Sequence, residues 1–178
     1  MSRFHWCAGL FIFTLGLAMV SPFAFCRSIG NAQSDKPTTV QDYYLSMPKQ
    51  YDKATRAERE EILSYSDTTV DLENRHIEYI THLSGQVFEA ALFKRPDGGF
   101  VFVYNEDCDL KYKVPTKLYL LKYEAGDWTD ATRELLPVPV NPRYKYELPE
   151  KGAIIQVTTA AGAKMYQLVW RNGKFEKR

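Results

Sequence analysis

The spacing of apolar residues changes at Asp67, and this change limits the fold more than any other feature of the chain. Before Asp67, apolar side chains recur at the spacing of one face of an α-helix. After it, they alternate with polar residues or form short apolar runs between glycine-containing turns, which is typical of β-strands. The sequence therefore predicts an α+β fold, with one or two N-terminal helices packed on a curved antiparallel β-meander of seven to eight strands.

Two helices are predicted in the first part of this pattern. The first begins at Thr39 and ends near Met47, because Pro48 cannot continue a helix. The second begins at Thr55, which forms a capping box with Glu58 three residues later. Each helix has one apolar face, which we expect to pack on the sheet.

The strands follow from the two-residue period and from the turns. One long strand is predicted over residues 72–83, with His76, Glu78 and His82 solvated on its exposed face. Residues 87–93 and 100–104 are apolar on both faces and are predicted to be central strands joined by a glycine-rich turn. Further strands are predicted over residues 118–123, 144–148, 153–158 and 165–171, and the last of these turns back at Asn172-Gly173.

An aromatic residue follows the turn glycine in three places along the chain. These are Gly98-Gly99-Phe100, Gly126-Asp127-Trp128 and Gly173-Lys174-Phe175. The intervals between them are irregular, which argues against a repeat of fixed period. Hairpins that share glycine turns and aromatic cross-strand partners explain the pattern.

The N-terminal segment resembles a secretory signal peptide. Arg3 precedes an apolar run over residues 10–25, which as a helix would span about 24 Å and fall short of the roughly 30 Å hydrocarbon core of a membrane. Small residues at Gly30 and Ala32 predict cleavage after Ala32. The alternative is a retained anchor, or one that is lipidated at Cys26.

With this cleavage site, the chain is predicted to have three parts: a signal peptide over residues 1–32, a flexible lead over 33–38 and a single globular domain over 39–178. We expect an exported protein, either periplasmic or secreted, with no membrane span after cleavage. Cleavage leaves Cys108 as the sole remaining cysteine of the three, so no internal disulfide is expected. Its thiol is then either buried or able to link two chains in a disulfide-bonded dimer.

Composition and motifs exclude several function classes. Lys and Arg number 23 and Asp and Glu 22, so there is no general electrostatic attraction for nucleic acid. The chain has no phosphate-binding loop, dinucleotide fingerprint, nucleophile elbow or paired-cysteine metal motif, and no cofactor or metal site is predicted. His76 and His82 are about 20 Å apart along a strand, too far to share one zinc ion.

The acidic residues 105–109 raise the question of calcium. The segment lacks the glycine and the spacing of an EF-hand loop, so a solvated hairpin end is the favoured interpretation.

Tyrosine is the residue type that points to recognition. Most of the twelve tyrosines alternate along strands, where a core would use them. Tyr112, Tyr144 and Tyr146 instead lie near the lysines and arginines that surround a proline-rich connection over residues 137–142. If the chain has an exposed aromatic and basic patch for a partner, we expect it there. The alternative is an ordinary edge strand that lysines protect.

Several short segments resemble small exported bacterial proteins of uncharacterised function. They are Asp42-Tyr43-Tyr44, Met47-Pro48, Ala91-Leu92-Phe93, residues 126–130 and residues 168–175. The resemblance implies an exported bacterial domain and carries no activity and no catalytic residues.

We therefore expect a non-enzymatic exported module that binds a protein, a glycan or another component of the cell envelope. One alternative is a small periplasmic hydrolase whose carboxylates or histidine assemble only in the fold, because such groups are recognised by distance in space. Another is a subunit of an envelope assembly linked through Cys108.

Overall fold

The computed structural model describes residues 36–81, 86–108 and 114–178. These residues form three short helices, α1 (Val40–Ser46), α2 (Arg56–Ser64) and α3 (Thr132–Leu135). They also form ten strands: β1 (Thr68–Asp71), β2 (His76–Ile80), β3 (Val87–Lys94), β4 (Phe100–Glu106), β5 (Lys117–Glu124), β6 (Asp127–Asp130), β7 (Tyr144–Glu147), β8 (Ile154–Thr159), β9 (Lys164–Arg171) and β10 (Lys174–Lys177).

The strands form two antiparallel sheets. β1 to β6 make a six-stranded sheet in chain order, and β7 to β10 make a four-stranded sheet in chain order. The α+β class is confirmed, but a single meander of seven to eight strands is not, because the chain leaves the first sheet after β6. α3 and the proline-rich connection over residues 137–142 intervene, and proline lacks the N–H that a further ladder strand would need.

The two faces of the six-stranded sheet carry two hydrophobic cores. One face packs against the four-stranded sheet and α3, with Ala91 and Phe93 of β3 in that core. The other face packs against α1, with Ala90 and Leu92 of the same strand in the second core. β3 and β4 alternate between the two cores, which confirms the prediction of central strands that are apolar on both faces.

The helices begin where the sequence predicts. The Thr39 hydroxyl accepts a hydrogen bond from the Asp42 N–H at 3.1 Å, and the Asp42 carboxylate accepts one from the Thr39 N–H at 2.9 Å. The same reciprocal capping box joins Thr55 and Glu58 at the start of α2. α1 presents Val40, Tyr43 and Tyr44 to the sheet.

The predicted strand over residues 72–83 is wrong in its first part, where the structure has the β1–β2 hairpin. The Asp71 carboxylate accepts hydrogen bonds from the Asn74 N–H at 2.9 Å and from Asn74 Nδ2 at 2.6 Å, which closes a tight turn. Arg75 completes the turn at φ +61°, and Leu72 is exposed at its tip. His82 and Leu83 lie outside the described residues.

The segment before α1 is described only from Lys36 onward, so the predicted signal peptide and the start of the predicted lead lie outside the described residues. Pro37 is buried, and Thr38 donates hydrogen bonds to the Asp42 carboxylate from both its N–H and its hydroxyl. Within the described ranges, no helix is long and apolar enough to cross a membrane.

Candidate ligand-binding groove

The three tyrosines of the predicted patch have different positions. Tyr146 is 1% exposed and lies in the core between the sheets, where its hydroxyl accepts a hydrogen bond from the Asn141 N–H at 2.8 Å. Burial also raises the pKa of Tyr146. Tyr144 is half-buried against the edge of Tyr166, and Tyr112 lies outside the described residues. Tyr146 therefore cannot belong to an exposed patch.

A buried polar cluster forms between the two sheets from His76, Glu89, Asn105 and Asp107. Glu89 of β3 lies opposite Asn105 of β4, and His76 Nε2 lies 3.8 Å from Glu89 Oε1. The prediction that His76 and residues 105–109 are solvated is wrong for His76, Asn105 and Asp107. The second sheet covers them, because the Leu148 N–H donates to the Glu89 carboxylate at 3.2 Å and Asn105 Nδ2 donates to the main-chain carbonyl of Tyr146 at 2.8 Å.

The chemistry of this cluster is that of a structural junction. Burial raises the pKa of Glu89, and the nearby His76 imidazole and the hydrogen bond from the Leu148 N–H oppose that shift. The raised pKa would suit a general acid, but neither His76 nor Glu89 lines any of the three surface cavities described below. The cluster therefore connects the two sheets and lines none of these three cavities.

The thiol of Cys108, which follows this cluster in the chain, is buried, as one of the two alternatives for it predicted. Cys108 is 6% exposed, which confirms burial over an accessible thiol. Among the residues that the structure describes, no group of three or more His, Cys, Asp or Glu side chains is arranged to hold a metal ion.

A groove opens at the end of the six-stranded sheet where two hairpins turn side by side. The β3–β4 turn and the β5–β6 turn meet at this end because β4 pairs with β5. Residues 36–38, which lead into α1, form the third wall. The volume is about 870 Å³, which is within the range of pockets that bind small ligands. We call this space the hairpin groove.

One arginine joins the two turns of the hairpin groove. Arg95 Nη1 donates to Glu124 Oε1 across the groove, and Arg95 Nη2 donates to Asp97 Oδ2 within its own turn. The other Asp97 oxygen accepts the Gly99 N–H at 3.1 Å. The hydrogen bond with Glu124 raises the pKa of Arg95, so its charge is permanent. The Arg95 side chain is 20% exposed, whereas those of Asp97 and Glu124 are 56% and 59% exposed.

Aromatic rings form the apolar wall of the hairpin groove. Buried Tyr43 of α1 lines the groove, and the centroids of the half-buried Phe100 and Tyr123 rings lie 6.5 and 6.4 Å from the centroid of its ring. Trp128 supports both tyrosines from behind, in edge-to-face contact at 5.8 and 5.3 Å. These contacts hold the rings in place.

Two other cavities differ in character. A groove of about 710 Å³ follows the proline-rich connection and is lined mainly by aliphatic and proline side chains. A smaller pocket of about 150 Å³ is lined by Asp52, Glu106 and three tyrosines. Each of its carboxylates has a cationic partner, since Arg59 Nε lies 3.1 Å from Asp52 and Lys117 Nζ lies 2.5 Å from Glu106.

The glycine and aromatic residues of two turns are the sequence signal for the hairpin groove. Gly98-Gly99-Phe100 and Gly126-Asp127-Trp128 belong to adjacent hairpins, and an antiparallel meander brings alternate turns to the same end of the sheet. The role of Arg95 was missed because its partner Glu124 is 29 residues away in the chain.

Comparison with known proteins gives no family to which the chain can be assigned. It matches no protein-family model, and neither the curated proteins nor the solved structures contain a significant match.

Proposed function

We propose that the chain is an exported, non-enzymatic binding module and that the hairpin groove is where its ligand binds. The observation that carries this proposal is the composition of the groove, in which fixed aromatic rings face a hydrogen-bonding array formed by Arg95, Asp97 and Glu124. An apolar wall with a few convergent polar groups is the usual form of a small-ligand site.

The chemistry of the cavities supports binding over catalysis. A hydrolytic acid needs a carboxyl group with a raised pKa inside a pocket. Glu89 has the raised pKa but lines none of the three cavities, whereas the carboxylates in the hairpin groove are paired with Arg95.

Export is tested by expressing the full chain in a bacterium and fractionating the cells. We expect the protein in the periplasm or the medium, with an N-terminus at Gln33 after processing. Retention in the cytoplasm with an intact N-terminus would contradict this part of the proposal. A protein that starts at Cys26 and stays with the membrane would support the lipidated alternative.

Binding is tested with the envelope fraction of the bacterium that expresses the chain. The protein is immobilised, and retention of envelope material is compared between the wild type, Arg95→Ala and Arg56→Ala. Arg56 is the matched control, because it is an arginine in an ion pair with Glu60 on the exposed face of α2, outside the groove. We expect Arg95→Ala alone to lose retention. Equal retention by all three proteins would show that the groove is not the binding site.

A hydrolase is the second candidate, and the observation that favours it is the convergence of Asp52 and Glu106 on the small pocket. It predicts release of nitrophenol from aryl glycosides, with loss of that activity in Asp52→Asn. The binding module predicts no release by either protein. Turnover that depends on Asp52 would therefore reverse the order of the two candidates.

A further inference from the structure

We infer that the ligand of the hairpin groove is an uncharged oligosaccharide. This inference rests on the proposed function, because it names the ligand class for the same site. It depends on three features of the groove: its charge balance, the exposure of its charged groups and the placement of its aromatic rings.

The charges in the hairpin groove balance. Lys36 and Arg95 supply two cationic groups, and Asp97 and Glu124 supply two anionic groups. Arg95 is already hydrogen-bonded to both carboxylates. Because the net charge of these four groups is zero, a charged ligand would gain little electrostatic attraction from the groove. A neutral ligand does not need such attraction.

Exposure argues against an anionic ligand in particular. The Asp97 and Glu124 side chains are more than half exposed, whereas the Arg95 side chain is only 20% exposed. A phosphate, sulfate or carboxylate entering the groove would meet two exposed carboxylates and one exposed ammonium group, that of Lys36, before the guanidinium. The exposed carboxylates outnumber the exposed ammonium group two to one, so the arrangement disfavours anions.

The same groups match the surface of a sugar. A sugar ring has hydroxyl groups at its edge and C–H groups on its face. Carboxylates accept hydrogen bonds from hydroxyls, and a planar guanidinium donates to them in a fixed geometry. Phe100 and Tyr123 line the groove and offer the apolar contact that the C–H groups need.

The volume favours more than one sugar ring. The groove holds about 870 Å³ and is open at its rim, so a short chain of sugars fits along it. Residues of both hairpin turns line the groove, and the Arg95–Glu124 hydrogen bond joins the two turns. An oligosaccharide that lies between the turns would contact both.

The test is an array that carries short neutral oligosaccharides, including maltotriose, cellotriose and triacetylchitotriose, beside sulfated and uronic-acid oligosaccharides. The protein produced from the full chain is applied, and titration calorimetry follows for any sugar that is retained. We expect retention on neutral oligosaccharides only. Glu124→Ala should weaken binding about tenfold or more, as expected for one lost hydrogen bond to a charged group.

Two pairs of variants test whether binding depends on residues of the groove and not on exposed residues elsewhere. Glu124→Ala is compared with Glu60→Ala, because both glutamates are exposed partners of an arginine and only Glu124 lines the groove. Tyr123→Leu is compared with Tyr65→Leu, which alters an exposed tyrosine outside the groove. Circular dichroism of each variant checks that it has folded. The inference requires loss of binding in the groove member of each pair alone.

The outcomes separate the ligand class from the proposed function. Retention of envelope material that depends on Arg95, without binding to any neutral oligosaccharide, would overturn the inference and leave the binding module in place. Preference for the sulfated or uronic-acid sugars, or capture of a peptide by the groove, would overturn it in the same way. Failure of Arg95→Ala to alter envelope retention would instead overturn the proposed function.

Discussion

The buried carboxyl group of Glu89 connects the two sheets and makes the stability of the fold depend on pH. Its carboxylate accepts hydrogen bonds from the Leu148 N–H and from Asn105 Nδ2, so it joins the two sheets from within a strand that the sequence predicted to be central. Burial raises its pKa, which means that the folded protein binds its proton more tightly than the unfolded chain does.

Glu89→Gln should make the free energy of unfolding less dependent on pH. In the wild type, the stabilisation from protonated Glu89 is complete below about pH 4.5, the ordinary value for the side chain, and is lost as the pH rises through the raised folded value. Glutamine cannot ionise, so the variant should lose less stability between pH 4 and pH 7. Urea unfolding midpoints of both proteins across this range test the expectation. A parallel decline in the two proteins would contradict it.

Arg59 is the largest of the fully buried side chains and connects the two N-terminal helices. It donates to the main-chain carbonyls of Tyr44 and Met47 from Nη1 and to the Asp52 carbonyl from Nη2, while Nε pairs with the Asp52 carboxylate. The carbonyls at the end of α1 therefore depend on a side chain of α2.

Arg59→Met should lower the free energy of unfolding by about 3–5 kcal/mol, because it removes the buried cationic partner of Asp52 and the guanidinium donor from three main-chain carbonyls. Arg56→Met on the exposed face of the same helix should cost less than about 1 kcal/mol. Chemical denaturation of both variants gives the comparison. Similar losses in the two proteins would mean that Arg59 contributes no more than a surface charge.

At the scale of elements, the turns carry much of the information that determines strand pairing. The β9–β10 turn has Asn172 and Gly173 at φ +48° and +83°, and the β5–β6 turn has Ala125 and Gly126 at φ +52° and +96°. Positive φ at both central residues gives the tight hairpin whose twist matches that of its strands. Gly173 has a second constraint, because an added Cβ would lie 3.1 Å from Pro96 Cδ.

Gly173→Ala should therefore destabilise the protein more than Gly162→Ala does. Both glycines have positive φ, at +83° and +84°, so both variants incur the left-handed penalty of roughly 1–2 kcal/mol. An added Cβ at Gly162 meets nothing within 4 Å, so only Gly173→Ala must also displace a neighbour. Thermal unfolding of the two variants measures the difference. An equal loss would show that Pro96 moves aside freely.

Local patterns predicted the elements well and their assembly less well. The capping boxes at Thr39 and Thr55, the central strands β3 and β4 and the Asn172-Gly173 turn all follow from residues that are near one another in the chain. The β1–β2 turn was missed because Leu72 and Ile77 suggest a continuous strand. The division into two sheets and the pairing of Arg95 with Glu124 depend on long-range contacts, which no local period encodes.

At the scale of the whole molecule, the two sheets meet through side chains and a few hydrogen bonds, without shared strand pairing. Glu89, Asn105 and Thr116 provide polar links across this junction, with Thr116 donating its hydroxyl to the Tyr144 carbonyl. Cys108 lies in the connection that follows β4 and is buried.

Cys108 should be unreactive in the native protein. Wild type and Cys108→Ala, both produced from the full chain, should give the same number of thiols that react with Ellman's reagent in buffer. They should differ by one thiol in guanidinium chloride. A reactive native thiol at Cys108, or a dimer that reduction dissociates in the wild type and not in the variant, would support the linked envelope subunit instead.

The order of the sheets along the chain has a consequence for biosynthesis. All strands of the first sheet are translated before any strand of the second, and the core between them needs Ile155, Leu168 and Phe175 from the last part of the chain. Until that part has left the ribosome, one apolar face of the first sheet has no cover. A nascent chain of this design should therefore depend on a holding chaperone until synthesis is complete, and a stop codon before β8 should send the product to proteolysis.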